Sequence, residues 1–179
     1  TIASGSTAIT LSVMALPADT LDEANEQFNI SLAVISGAGT GDLEGLGTIT
    51  DNDGAPNLFI ADLVVVEGDT ATAIVSLSAV SGINVEFDYF TYDNSATQPS
   101  DYTQISSTRL TIAPGLLTIG FQVATVEDSS FEGNENFAVT LTNITNAGVG
   151  DDIATVSITE DDPMPVLAIY GVAGNEGDT

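Results

Sequence analysis

The fold is decided by the segment Leu117-Thr-Ile-Gly-Phe-Gln-Val-Ala-Thr-Val-Glu-Asp-Ser-Ser-Phe-Glu-Gly-Asn-Glu-Asn-Phe-Ala-Val-Thr-Leu141. Apolar residues alternate with small or polar residues at both ends of this segment, and an acidic loop joins the two ends. An alternation with a period of two indicates β-strands that place one face on a core. The segment therefore predicts strands at 117–126 and 136–143, with carboxylates concentrated between them.

The alternation continues on both sides of this segment. It predicts five further strands, near 57–66 (where a break is allowed), 71–79, 84–91, 108–112 and 153–160. Gly, Asn, Asp and Ser separate these runs, and no helical periodicity of useful length is present. Seven short strands within residues 55–162 predict an all-β fold, an immunoglobulin-like antiparallel β-sandwich.

The sequence also repeats at an offset of 109 positions, at which Asp19 aligns with Asp128. The matched pairs include Glu23 with Glu132, Asn25 with Asn134, Glu26 with Glu135, Phe28 with Phe137, Ile49 with Ile158, Asp53 with Asp162 and Glu67 with Glu176. Chance does not maintain one offset over so many positions, so we expect tandem repeats. Residues 1–53 are predicted to be the C-terminal half of a first repeat, residues 55–162 a complete repeat, and residues 163–179 the first strand of a third.

The charge balance is strongly acidic, with 26 Asp and Glu residues against one Arg and a net charge of −25. Nucleic acids and anionic membranes would be repelled, because both are bound through clustered Lys and Arg. Cysteine is absent, which excludes disulfides and zinc–thiolate sites, and no run of about 18 apolar residues predicts membrane insertion. The charge either keeps an extracellular or halophilic protein soluble or marks a chain that folds with cations bound. Its clustering in loops favours the second explanation.

Seven acidic residues of the complete repeat are clustered in two loops at strand ends. The first loop offers Glu127, Asp128, Glu132 and Glu135, and the second offers Glu160, Asp161 and Asp162. Ca²⁺ takes about six to eight oxygen ligands in tolerant geometry, whereas Mg²⁺ demands a strict octahedron. Since loops at one end of a sandwich can converge, we predict that these two loops bind Ca²⁺ together.

An earlier copy of both loops lies in the first repeat and offers Asp19, Glu23, Glu26, Asp51 and Asp53. Asp, Asn and Gly are also ordinary turn residues, so a single loop such as Asp51-Asn-Asp-Gly54 is more often a turn than a ligand set. Recurrence of the carboxylates at one offset favours ligands, because solvated turns do not require it. An EF-hand is excluded, since its loop positions 5, 6 and 12 would hold Ala55, Pro56 and Asp62.

A family resemblance rests on five motifs in this order: Val64-Val-Val-Glu-Gly-Asp69, Ser100-Asp-Tyr102, Leu110-Thr-Ile-Ala-Pro-Gly115, Val126-Glu-Asp-Ser-Ser-Phe-Glu-Gly-Asn-Glu-Asn-Phe137 and Val156-Ser-Ile-Thr-Glu-Asp-Asp162. Together they resemble the Calx-beta domain, a family that includes calcium-sensing domains of sodium/calcium exchangers, a domain of integrin β4, and repeats in large bacterial and animal surface proteins. The resemblance implies an immunoglobulin-like sandwich that binds Ca²⁺ in the loops facing the next domain.

The resemblance also extends the set of candidate ligands. It adds Glu67 and Asp101 to the seven loop carboxylates, and the repeat adds Glu176 as the counterpart of Glu67. For Glu67 and Asp101, a solvated surface role stays open. Asp is usual in the family where Glu127 and Glu160 stand, and the first repeat has Ala and Asn at positions 18 and 52, so a weaker site is expected there. Tyr102 is expected in the core or at a corner hydrogen bond.

These observations predict a calcium-binding structural repeat of a large extracellular, cell-surface or filament protein, in which Ca²⁺ rigidifies the joints between domains. The partners would be neighbouring repeats of the same or an identical chain, including strand addition at the half-repeats, and the sequence would be a piece of something larger. The alternative is a calcium-sensor module of a membrane transporter or receptor. An enzyme is not expected: paired carboxylates could hydrolyse a glycoside, but Trp, His and Cys are all absent.

Overall fold

The computed structural model describes residues 2–14, 19–33, 37, 39, 41–171, 173–174 and 176. Its strands are β1 (Glu26–Ser31), β2 (Glu44–Ile49), β3 (Asn57–Ile60), β4 (Leu63–Val66), β5 (Thr70–Leu77), β6 (Val85–Asp93), β7 (Thr108–Ile112), β8 (Thr118–Ala124), β9 (Glu135–Thr145), β10 (Gly148–Asp151) and β11 (Ile153–Thr159). Within the part of the chain that the structure describes, no helix has the length and hydropathy needed to span a membrane.

Two sheets face each other in residues 57–159. One sheet has the strand order β10-β3-β5-β8, and the other has the order β4-β11-β9-β6-β7. The alternating apolar side chains of both sheets meet between them, and the fully buried ones include Leu58, Val75, Phe87, Val123, Phe137 and Val156. The predicted all-β sandwich is therefore confirmed. The alternation of apolar and polar residues produces it, since every second residue over the first seven positions of β6, for example, points into the core.

The strand prediction was incomplete in two respects. The run at 57–66 is two strands, since β3 belongs to one sheet and β4 to the other. β10 was not predicted, because Gly148 and Gly150 interrupt its alternation, yet a Cβ on Gly150 would overlap the ring of Phe59 in neighbouring β3. Glycine thus permits the close approach of these two strands.

Two strand pairs depart from the antiparallel pairing that dominates the sandwich. β10 pairs with β3 and β11 pairs with β4 in parallel, whereas the other pairs are antiparallel. The break between β3 and β4 explains the second case. It moves the chain to the opposite sheet, where β4 lies along the free edge of β11 and donates and accepts ladder hydrogen bonds there.

The hairpin of β1 and β2 stands outside the sandwich and has the register of β9 and β11. Glu26 pairs with Ile49, as Glu135 pairs with Ile158 at the offset of 109 positions. Burial differs, since Ile49 is 40% exposed and Ile158 is 5% exposed. The local geometry of the two hairpins is therefore the same, while only the second has an opposing sheet. The domain boundaries after residues 53 and 162 stay predictions.

A short contact joins the segment before β1 to the sandwich. The Gly82 N–H donates to the Asp22 carbonyl at 2.8 Å, and the Ser81 hydroxyl lies 3.4 Å from Asp22 Oδ2. A Cβ on Gly82 would stand 2.8 Å from Cγ of Glu23, so a larger residue would push the two segments apart. The turn between β5 and β6 is therefore the docking point for the acidic loop that precedes β1.

Candidate metal centre

Two groups of carboxylates lie at one end of the sandwich. Glu67, Glu160 and Asp161 form the first group, and Asp101, Glu132 and Glu135 form the second. Within each group, one carboxylate oxygen per residue lies within 4.8 Å of the others. Five of these six residues line one shared pocket with Gly133 and Ile158, namely Glu67, Asp101, Glu132, Glu135 and Glu160. We call the two groups and this pocket the acidic end.

Glu67 reaches the acidic end from the turn between β4 and β5. The Asp69 N–H donates to the Val66 carbonyl at 3.1 Å and closes the turn. Gly68 has φ of +74°, which is the conformation that the third residue of a type II turn requires. A Cβ on Gly68 would also overlap the side chain of Glu127. Glycine therefore both shapes the turn and lets Glu127 lie against it.

Asp101 is held by a buried aromatic anchor beside it. Tyr102 is fully buried, its ring stacks on Phe137 with centroids 3.9 Å apart, and its hydroxyl donates to Asp93 Oδ1 at 2.6 Å. The sequence predicts Tyr102 in the core or at a corner hydrogen bond, and the structure shows both. Asp101 itself accepts the Thr97 N–H at 2.6 Å through Oδ2. The same carboxylate lies against Glu135 in the second group.

Glu160 links the two acidic loops through the backbone. Its Oε2 accepts the N–H groups of Glu132 at 2.6 Å and Gly133 at 2.8 Å, and its Oε1 accepts that of Asp162 at 2.9 Å. These hydrogen bonds hold the pKa of Glu160 below its usual value, because they favour the charged form. The predicted convergence of the two loops is therefore observed.

The other carboxyls of the acidic end lie close to one another, and no basic side chain lies among them. Burial, followed by the charge of Glu160, raises the pKa of Glu67 to about 7. Burial, followed by the charge of Asp101, raises the pKa of Glu135 to about 7. The one basic side chain of the sequence, Arg109, is engaged elsewhere, 2.8 Å from Asp88. In the absence of a bound cation, protonation of these carboxyls is therefore what relieves the repulsion between them.

Burial and neighbouring charges also raise the pKa values of three further loop carboxyls, those of Glu127, Glu132 and Asp162. The pKa of Glu132 is raised first by the charge of Asp128, and that of Glu127 first by burial and then by Asp161. Burial and then Glu160 raise the pKa of Asp162. Glu127, Asp128 and Asp162 thus lie within the field of the two groups without belonging to either.

The oxygen atoms present fit a hard divalent cation. Asp162 Oδ2 is buried and has no hydrogen-bond partner within the described structure, and leaving such an atom unpaired costs about 1–3 kcal/mol. A cation beside it would remove that cost. The donor set consists of carboxylate oxygens from four segments, which suits the six to eight irregularly placed ligands of Ca²⁺. The residues therefore fit the predicted Ca²⁺ ion.

The predicted earlier site is looser. Its loop repeats two hydrogen bonds of the complete domain: Leu21 N–H to Asp19 Oδ1 at 3.0 Å matches Ser130 to Asp128, and Asp51 N–H to Asn25 Oδ1 at 2.9 Å matches Glu160 to Asn134. Burial and then Asp19 raise the pKa of Glu23, with smaller effects of Glu26, Asp51 and Asp53. In the described part of residues 1–53, however, no three carboxylates approach as closely as at the acidic end.

Two outlying residues complete the comparison with the sequence. Glu176 is exposed and belongs to neither group. Asp22, which contacts the sandwich, was missed by sequence reasoning, because Phe131 stands at its matched position and the repeat gave no match there. Burial, then Asp51, Asp19 and Asp22 raise the pKa of Asp53, which places Asp22 near the earlier site. Its departure from the repeat was the one available signal.

Comparison with known proteins supports this architecture. The family model of the Calx-beta domain matches residues 50–162. The crystal structure of CBD12 from CALX1.2 has 23% identity and a TM-score of 0.56 over 59% of this chain and 46% of that chain. The crystal structure of the apo-form Calx CBD1 domain has 23% identity and a TM-score of 0.55, and the match covers 60% of this chain and 98% of that chain. The calcium binding domain CBD12 of CALX1.1 has 23% identity and a TM-score of 0.55 over 59% and 46%. No curated protein matches.

The chain thus spans about half the length of the CBD12 structures that it matches. At 23% identity these structures support the fold alone. The family model carries more weight, because it covers more than half of the chain and includes the whole sandwich with its acidic end. On that ground, the chain belongs to the Calx-beta domain family.

Proposed function

We propose that the chain is a Ca²⁺-binding structural segment of a larger extracellular or cell-surface protein, in which Ca²⁺ rigidifies the joints between tandem domains. The observation that carries the proposal is the acidic end itself. Six carboxylates from four segments form two groups at one end of the sandwich, five of them line one pocket, and the only basic side chain of the sequence is bound elsewhere. A divalent cation would supply the positive charge that balances these carboxylates.

The chemistry of Ca²⁺ here would be charge neutralisation and cross-linking. Glu67, Asp101 and the carboxylates of 127–135 and 160–162 would hold the ion or ions, since their segments already meet. The bare carboxylates repel one another, so the loops are held together against their own charge. Binding at a Ca²⁺ concentration about 100 times the dissociation constant would stabilise the folded state by ~2.7 kcal/mol per site.

The link to joints comes from the position of the acidic loops. The loop at residues 19–25 contacts the turn at Ser81 and Gly82, and its carboxylates lie next to that contact. An ion bound there would be beside the next sandwich. At the other end, the second acidic loop runs from Glu160 directly into Pro163. The partners on this proposal are neighbouring repeats of the same chain or of an identical chain that adds strands to the half-repeats.

A calcium sensor attached to a membrane transporter or receptor is the second candidate function. Membership of the Calx-beta domain family favours it, because that family includes calcium-sensing domains of sodium/calcium exchangers. Both functions require Ca²⁺ binding and differ in what the ion controls. A structural joint should stiffen in proportion to Ca²⁺ occupancy, and the sequence of the full gene should show further repeats. A sensor should be followed or preceded by membrane-spanning segments.

Calorimetric titration of the metal-free chain with CaCl₂, with MgCl₂ as the control, tests the proposal. We expect heat from at least one Ca²⁺ site, little heat from Mg²⁺, and a narrower distribution of overall dimensions in small-angle X-ray scattering after Ca²⁺ addition. Unchanged melting temperature and unchanged scattering with Ca²⁺ or with EDTA would refute it. Binding without any change in scattering would favour a sensor over a joint.

A further inference from the structure

Thr125 occupies an unusual place between the core and the acidic end. It follows β8 and is only 7% exposed, one of three buried polar residues in the described chain. Core-facing positions of β8 are apolar at Phe121 and Val123, and Thr125 continues that face. Burying a hydroxyl there is unfavourable unless it is hydrogen-bonded. Packing alone would be served better by valine, which has the same shape.

The hydroxyl of Thr125 is directed at the turn that carries Glu67. It lies 2.9 Å from the Asp69 carbonyl and 3.2 Å from the Val66 carbonyl, so its one proton is shared between the two ends of the turn. The Thr125 N–H also donates to the Asp69 carbonyl at 3.0 Å. Three interactions thus fix the Val66–Asp69 turn to the residue that follows β8.

The same residue is joined to the segment that carries Asp101. Thr125 forms an isolated antiparallel bridge with Tyr102. On either side of the bridge, Val126 N–H donates to the Asp101 carbonyl at 2.9 Å, and Thr103 N–H donates to the Ala124 carbonyl at 3.0 Å. The backbone at Thr125 therefore sets the position of Asp101 relative to β8.

The two carboxylates held in this way belong to different groups of the acidic end, since Glu67 is in the first and Asp101 is in the second. Glu127 and Asp128 follow Thr125 by two and three residues. We propose that Thr125 is a positioning residue for divalent-cation binding: its buried hydroxyl and amide hold the Glu67 turn, while the backbone on either side of it holds the Asp101 segment, at the spacing that lets both groups bind. This inference rests on the proposed function.

The test compares Thr125→Val, which removes the hydroxyl, with Thr125→Ser, which keeps it. Thr140→Val is the matched control, because the Thr140 hydroxyl is buried without a hydrogen-bond partner and its loss breaks no contact. In calorimetric CaCl₂ titrations, we expect Thr125→Val to bind about tenfold more weakly, as the loss of a hydrogen bond implies. Thr125→Ser and Thr140→Val should bind like the original chain.

Hydrogen exchange of the Ca²⁺-free proteins gives a readout that does not depend on binding. We expect the Asp69 amide to exchange faster in Thr125→Val than in Thr125→Ser, while amides of β9 stay unchanged. Equal exchange at Asp69 together with equal Ca²⁺ affinity in all variants overturns the inference. If the original chain binds no Ca²⁺, the proposed function fails and the inference fails with it. If the original chain binds Ca²⁺ and Thr125→Val binds it with the same affinity, the inference alone fails. Thr125→Ala replaces Thr125→Val if the latter does not fold.

Discussion

Replacing Glu135 by glutamine should have opposite effects on stability with and without Ca²⁺. Glu135 stands with Asp101 and Glu132 in one group, and its pKa is raised to about 7 by burial and by the charge of Asp101. Near pH 8 and without Ca²⁺, the folded protein carries this repulsion, and Glu135→Gln removes it. With Ca²⁺, the same substitution removes a charged ligand. The Ca²⁺-free variant should therefore melt higher than the original chain, and the Ca²⁺-bound variant lower.

The magnitudes follow from mass action and from the size of the domain. Ca²⁺ at about 100 times the dissociation constant stabilises the original chain by ~2.7 kcal/mol. A domain the size of residues 55–162 has a melting entropy of about 0.2 kcal/mol per kelvin, so the expected rise in melting temperature is about 12 °C. If Glu135→Gln weakens binding about 100-fold, the rise falls to about 2 °C. Relief of repulsion at this partly exposed site is on the order of 1 kcal/mol after solvent screening, or about 4 °C.

Thermal unfolding followed by circular dichroism near pH 8, in EDTA and in excess CaCl₂, measures both effects. Glu86→Gln is the matched control, since Glu86 lies outside the acidic end and makes only an exposed ion pair with Arg109 at 3.5 Å. It should leave the Ca²⁺-induced rise unchanged. The reasoning is refuted if Glu135→Gln lowers the melting temperature equally in EDTA and in Ca²⁺, or if it leaves the Ca²⁺-induced rise at its original size.

Three further predictions follow from the same structure. The pKa values of Glu67 and Glu135 are raised from 4.5 to about 7. Their contribution to the stability of the Ca²⁺-free protein is therefore complete below about pH 4.5 and is lost as the pH rises through about 7. Urea unfolding between those pH values should show this decline in the free energy of unfolding, and excess Ca²⁺ should abolish the decline. Gly82→Val should separate the acidic loop from the β5–β6 turn and enlarge the chain in X-ray scattering, without lowering the melting temperature of the sandwich. Leu58→Ala, at a fully buried site, should cost about 2–5 kcal/mol in urea unfolding, and a cost below 1 kcal/mol would contradict its place in the core.

The strands of the sandwich were predictable from sequence where burial of one face produces an alternation of apolar and polar residues. β6 alternates between core and surface along seven consecutive residues, so its apolar positions could be read directly. The pairing of β4 with β11 was not predictable in the same way. Val64 and Val65 fit either sheet, and only the tertiary break after Ile60 determines that β4 lies parallel to the edge of β11. Local patterns specify faces, whereas partners depend on the whole fold.

The acidic end was predictable to a similar extent. The repeat identified its carboxylates, because their side chains recur at matched positions. It did not indicate that Glu160 binds backbone N–H groups of the other loop, or that Thr125 reaches the carbonyls on both sides of Glu67. Both interactions use backbone atoms, which every sequence has, so no residue type identifies them in advance. Ligand identity is visible in a sequence, but the support that positions a ligand is seen only in three dimensions.

The two hairpins show which part of the site is encoded locally. Asn25 and Asn134 accept matched N–H groups, and Asp19 and Asp128 close matched turns, although only the second hairpin is covered by an opposing sheet. The loops therefore form without the rest of a sandwich. A complete set of ligands does not assemble there, because no three carboxylates in the described part of residues 1–53 lie as close together as at the acidic end. Ca²⁺ titration of the chain should accordingly give one stronger class of site, lost in Glu135→Gln, and a weaker class that survives it. A single class of equal sites would show that the closer grouping of carboxylates at the acidic end does not strengthen binding.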